Sequence, residues 1–182
     1  DKSLFNNKIN FNKFPSLETQ IANISDDIAY NNHDLEDGLR AGLFTIQKFS
    51  SIPIISKLIK KHLNNLKDFR REIIISQIVR DLINFMVIDV IKTTNKNLKK
   101  IEPQTINDIY NQKFMIVEFS DNMKKIDKHI KNFLKINMYN HKRVIINTNK
   151  GKKIIDILFK QLIKNPKKYI NKELFKNDNK ER

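Results

Sequence analysis

Residues 25–42 read SDDIAYNNHDLEDGLRAG and gather Asp26, Asp27, Asp34, Glu36 and Asp37 around Tyr30 and His33, in a chain of formal charge +15. Asp26, Tyr30 and Asp34 stand at i, i+4 and i+8. On a helix turning about 100° per residue these three share one face. That face lies roughly opposite the apolar set Leu17, Ile21, Ile24 and Ile28. Two carboxylates and a phenol in line are oxygen donors that could ligate a hard metal ion and contact a hydroxylated substrate beside it. Acids on the polar side of an amphipathic helix are usually just solvated, however, and spacing alone favours that plainer reading.

The elements that would position these residues are helical. Glycine (3) and proline (4) are scarce among 182 residues, and 3.6-period segments dominate, which predicts an all-α fold. Ser16, after Pro15, is a good N-cap for a first helix whose exit is punctuated by Gly38 and Gly42. A second helix is expected from about Ile54 to Leu66. A third and longest is expected from about Asp68 to Thr94, with Ile74, Ile78, Leu82, Phe85 and Ile88 or Asp89 on adjoining faces. Residues 95–113 read as a connector with one helical turn after Thr105. FMIVEFS reads as an extended piece leading to Ser120, the N-cap of a helix from Asp121 to about Tyr139. A last helix is expected after Gly151, with Ile154, Ile155, Leu158 and Leu162 inward, ending before Pro166. The tail from Asn171 is expected to be solvated.

Composition narrows the classes. A hydrophobic share of 40% allows a packed core, and the absence of cysteine excludes disulfides and thiolate metal ligands. No apolar run approaches the roughly 18–20 residues needed to span a bilayer, so we expect no membrane partner. The balance of 35 Lys+Arg against 20 Asp+Glu invites a polyanion, but lysine is spread along the whole chain, as on a generally solvated basic surface. Three glycines cannot supply a phosphate-binding loop, and no zinc-type Cys/His spacing occurs. The chain opens on Asp1 rather than Met, and we expect an N-terminally incomplete copy of a longer protein.

PSLETQIANISDDIAYNNHDLEDGLRAGL closely resembles the end of the HD-type phosphohydrolase domain in bacterial dGTP triphosphohydrolase-like proteins. REIIISQIVRDLINFMVIDVIKTT resembles that family's long following helix. MIVEFSDNMKKIDKHIKNFLKINMYNHKRV resembles its phosphohydrolase-associated region, down to Phe133, Leu134, Met138, Tyr139 and His141. The likeness covers about residues 14–170 in three blocks, in order. It implies an all-α architecture: the end of an HD-type catalytic domain over 1–50, a helical phosphohydrolase-associated domain over 51–170, and a tail over 171–182.

The resemblance also implies a cytoplasmic, divalent-metal-dependent (Mg, Mn or similar) enzyme. It would hydrolyse a deoxynucleoside triphosphate, first of all dGTP, to the deoxynucleoside and triphosphate, and would act as a homo-oligomer. The family's final metal-ligating acid falls on Asp26, with Asp27 the alternate. Tyr30 and Asp34 match positions that face the deoxyribose. Arg80, or alternatively Arg70 or Arg71, lies where relatives offer cations to the triphosphate, and a guanidinium pairs bidentately with phosphate oxygens. The ion would polarise a phosphoryl oxygen and activate water, while cations stabilise the leaving triphosphate.

One departure is large. The resemblance implies four metal ligands, a His, a His-Asp dyad and a final Asp. The histidines here are His33, His62, His129 and His141, and the sole HD pair, His33-Asp34, follows the last of those ligands rather than forming the dyad. With one ligand of four, this chain alone is expected to be inert. His62 and His129 read as surface residues, and His141 and Tyr139 as structural ones or, at most, contacts with substrate or a neighbouring subunit. The competing class is a basic helical module binding single-stranded nucleic acid, with Phe (12) and Tyr (4) as stacking groups. Phe85, Phe133 and Phe159 sit at apolar-periodic positions, where core packing explains them better. The helices after residue 53 would also suit subunit assembly.

Overall fold

A computed structural model describes residues 13–50, 53–65 and 70–169. The expected helix start at Asp68 and the tail from Asn171 lie outside them. Among the described residues every regular element is helical: α1 (Leu17–Arg40), α2 (Ile46–Phe49), α3 (Pro53–Asn65), α4 (Arg71–Ile101), α5 (Ile106–Tyr110), α6 (Asp121–Leu134), a π-helical turn (Lys135–Tyr139), α7 (Lys142–Lys164) and α8 (Pro166–Tyr169). The chain divides into two compact units, Asp1–Met138 and Tyr139–Arg182.

In the first unit α1 begins where the sequence predicts. The Ser16 hydroxyl accepts a bond from the Thr19 N–H at 3.3 Å, satisfying one donor of the first turn. The helix runs unbroken past Asp34, as the shared face of Asp26, Tyr30 and Asp34 requires. It stops in a paired-bond exit: Leu43 N–H donates to Gly38 O at 2.9 Å and Gly42 N–H to Leu39 O at 3.3 Å. Gly42 takes φ +66°, the left-handed conformation that such an exit demands. Gly38 has a different reason, because a Cβ there would collide with the Phe44 ring.

The core joins Ile28, Leu35 and Leu39 of α1 to Ile75, Ile78, Leu82 and Met86 of α4, with Ile55 and Ile59 of α3 and Met123, Ile130 and Leu134 of α6. Phe133 anchors the exit of α1, with Phe44 edge-on at 4.9 Å and Phe49 at 5.1 Å between ring centroids. The short α5 follows Thr105 as expected, with a capping box in which Thr105 N–H donates to the Asp108 carboxylate at 2.7 Å. FMIVEFS is neither helix nor strand. Ser120 caps α6 by accepting from Met123 N–H at 3.2 Å, and Asp89 of α4 fixes Ser120 in turn through bonds of 2.8 and 2.7 Å from its N–H and hydroxyl.

Several expectations are corrected. α4 continues seven residues beyond Thr94 to Ile101, then ends at Glu102 in the left-handed conformation (φ 42°) before Pro103. His62 is buried rather than superficial, because its Nε2 lies 3.0 Å from the Asp81 carboxylate of α4. Phe85 and Phe159 are 44% and 62% exposed, so of the three named aromatics only Phe133 is core.

In the second unit, α7 starts at Lys142, nine residues before Gly151. The His141 Nδ1 accepts from Arg143 N–H at 3.3 Å, which gives that imidazole a capping role. Ile154, Ile155, Leu158 and Leu162 are exposed, not inward. Among the described residues this unit offers α7 only the four-residue α8 as a neighbouring helix, too little to cover an apolar face.

Candidate functional site

Asp26 and Asp27 are adjacent on the outer side of α1, and the fold treats them differently. Their successive 100° steps place Asp27 toward α6, where its carboxylate lies 3.0 Å from the Lys131 ammonium. Lys131 also holds Asp127 at 2.9 Å, and the Asn31 amide donates toward Asp127 at 3.4 Å. Burial pulls the Lys131 pKa down, but its bonds to Asp127 and Asp27 outweigh that and hold it above the ordinary lysine value. Asp127 is 9% exposed, so this cluster is a charged seam between α1 and α6. Asp26 has no hydrogen bond or ion pair with any described residue.

Asp26 lines an open hollow of about 430 Å³ with Asn23, Asp27, Glu118, Lys124 and Asp127 among its walls. Gln20 determines its shape. Buried to 1% exposure, its Oε1 accepts from the N–H groups of Ile116 and Val117 at 2.8 and 3.1 Å, and its amide donates to Pro15 O at 2.8 Å. This one side chain ties the non-helical 114–119 segment to α1 and satisfies two buried backbone donors. Lys124 neutralises Glu118 at 2.6 Å, so Asp26 is the hollow's uncompensated carboxylate.

Tyr30 is 59% exposed one turn beyond Asp26, and Asp34, a further turn on, is half-buried and engaged in an interaction. Neither lines the hollow; the three residues form an outward-facing row on α1. Among the arginines, Arg71 donates to Leu39 O at 3.2 Å and so belongs to the α1–α4 junction. Arg80 is exposed and has no ion-pair partner among the described residues. Glu36 is committed to Arg40 at 2.6 Å and to the Ser76 hydroxyl at 2.9 Å; the Arg40 bond holds its carboxyl below the usual range, partly opposed by burial.

A carboxylate with no protein partner suits one position around a hard cation. No group of three or more His, Asp or Glu able to hold a metal ion occurs among the described residues. Among the described residues, therefore, Asp26 offers one oxygen donor for such an ion and no complete set of ligands is present. The sequence had signalled Asp26, Tyr30, Asp34 and Arg80 but not Gln20, Asp127 or Lys131. Gln20 gave one sign: it falls on the flank of the Leu17–Ile24–Ile28 stripe, where a polar residue must find partners.

Residues 117–182 match the phosphohydrolase-associated domain family. A deoxyguanosinetriphosphate triphosphohydrolase-like protein of Pelagibacter ubique is 47% identical over 174 residues, covering 96% of this chain and 47% of the relative. Proteins of the same name from Bartonella tribocorum and Brucella anthropi are 39% and 37% identical over 84% and 85% of this chain, each covered for 38% of its length. The chain thus spans less than half the length of these relatives. Its three blocks of likeness, its all-helical fold and these identities place it with them: over most of its length the chain matches part of the deoxyguanosinetriphosphate triphosphohydrolase-like proteins.

Proposed function

We propose that the complete protein hydrolyses a deoxynucleoside triphosphate, dGTP first, to the deoxynucleoside and inorganic triphosphate with a divalent metal ion. In this reading residues 1–50 close an HD-type catalytic domain and 51–170 form its phosphohydrolase-associated partner. The observation that carries it is the division of labour within Asp26-Asp27: Lys131 occupies Asp27, and Asp26 is left free in an open hollow. An enzyme that needs one carboxylate at this point of the helix has to keep it from being neutralised by a chain of charge +15.

The bound ion would supply Lewis acidity at the phosphoryl group. Asp26 would give it one charged oxygen. Tyr30 and Asp34, on the same side of α1, would meet the sugar, the phenol by packing and hydrogen bonding and the carboxylate by accepting from a hydroxyl. Arg80 would stabilise negative charge on the departing triphosphate. The remaining ligands would come from other polypeptide of the complete protein, which leaves the 182-residue chain inactive by itself.

The test is triphosphate release from dGTP by the complete protein with Mn²⁺ or Mg²⁺. Release is expected from the wild type, none from the 182-residue chain, and none from Asp26→Ala. Undiminished release by Asp26→Ala overturns the assignment.

A further inference from the structure

A second concave surface lies between α3, α4 and α6, and none of Asp26, Tyr30, Asp34 or Arg80 lines it. Its volume is about 420 Å³, within the size range of small-molecule sites. The floor is Ile54 and Ile126, both packed on the core. One wall is the 44%-exposed ring of Phe85. The rim carries Lys57 of α3 and Lys125 of α6, with Asn122 and His129 one turn to either side of Lys125. No acid lines it.

Some lysines of these same helices are neutralised and others are not. Lys61 is paired with Asp81 at 2.7 Å, Lys124 with Glu118 at 2.6 Å, and Lys131 with Asp127 at 2.9 Å. Lys57 and Lys125, like Lys60 and Lys128 outside the groove, have no ion pair among the described residues. Two lysines without an ion pair among the described residues thus line one groove with an apolar floor and an aromatic wall. Such a site recognises a ligand with a flat apolar body and a negative head: the body covers Ile54, Ile126 and the Phe85 face, and the head meets the lysines. We propose that this groove binds an aromatic anion, a phosphate or carboxylate carried on a planar ring.

The probe is phenyl phosphate, titrated into the 182-residue chain by chemical-shift perturbation, with phenol and inorganic phosphate as its separated halves. Phenyl phosphate is expected to bind at least about tenfold more tightly than either half, because ring and head act together. Lys57→Gln and Lys125→Gln should each weaken it about five- to tenfold. Phe85→Leu, which keeps an apolar filling, should weaken it about threefold or more. Lys128→Gln, an exposed lysine of α6 outside the groove, should leave affinity within about twofold. Binding no tighter than that of inorganic phosphate overturns the proposal. So does an equal loss in Lys128→Gln and Lys125→Gln, which would trace the attraction to net charge alone. All three substituted lysines are exposed, so melting temperatures near wild type confirm that folding is intact.

Discussion

Replacing Lys131 by Met retains the side chain's length and removes its charge, which isolates what the ammonium does for the α1–α6 seam. Breaking a fully buried pair costs about 3–5 kcal/mol, whereas exposed pairs are worth about 0.2–1 kcal/mol. Here the Lys131 side chain is 42% exposed and that of Asp127 12%. The loss therefore falls between those limits, about 1–2 kcal/mol, a fall in Tm of roughly 2–8 °C for a chain of this size. Asp127→Asn combined with Lys131→Met removes the stranded charge and should recover at least about half of that loss.

The pH dependence has a definite sign. The folded Lys131 pKa is raised above the ordinary 10.5. Its contribution is therefore fully present below that value and is lost as pH rises through the folded pKa. Thermal melts of wild type, single and double variants at pH 7 and near 11 provide the assay. A Lys131→Met protein that melts with wild type at pH 7, or a double variant no better than the single, refutes the seam.

Four further outcomes are expected. Gln20→Ala orphans the N–H groups of Ile116 and Val117 and should cost about 2–4 kcal/mol in urea unfolding, with Gln20→Glu recovering part of it by keeping the acceptor. Gly38→Ala should destabilise by about 1–3 kcal/mol through collision with Phe44, while Gly151→Ala, with open space around its Cβ inside α7, should stabilise that helix by up to about 1 kcal/mol, both read by thermal melting. The Asp81 carboxyl is held below its ordinary 3.8 chiefly by Lys61, against burial and with help from His62. Its stabilisation is present above that value and lost as pH falls through the lower folded value, so acid melts of Asp81→Asn should lack this component.

Legibility followed the range of the interaction. Ser16, Ser120 and Thr105 were readable as helix starts because a cap is satisfied within three residues. α1 as a whole was readable because its apolar stripe and its Gly42 exit are local. The extension of α4 to Ile101 was not, since TTNKNLKK lacks a strong apolar stripe; one tie that secures it is the Asn97 amide donating to Ile116 O, 19 residues away, at 3.0 Å. His62 looked superficial in KLIKKHL because Asp81 lies on another helix. Gln20 and the 116–117 backbone are 96 and 97 residues apart, beyond any periodicity argument. Ile154, Ile155, Leu158 and Leu162 misled in the opposite sense. An apolar stripe predicts that a face seeks cover, not that its own unit supplies it. At the candidate site, the oxygen-donor row on α1 was visible from spacing, whereas the ion pair that bears on the choice between Asp26 and Asp27 was not, because Lys131 lies on another helix.

That choice is best tested by Mn²⁺ affinity of the complete protein, measured side by side for Asp26→Asn and Asp27→Asn. Loss of a true ligand should weaken binding by about 100-fold or more in Asp26→Asn, while Asp27→Asn, which removes a carboxylate already held by Lys131, should stay within about threefold of wild type. The reverse ranking, or equal affinities in both variants, would contradict the account.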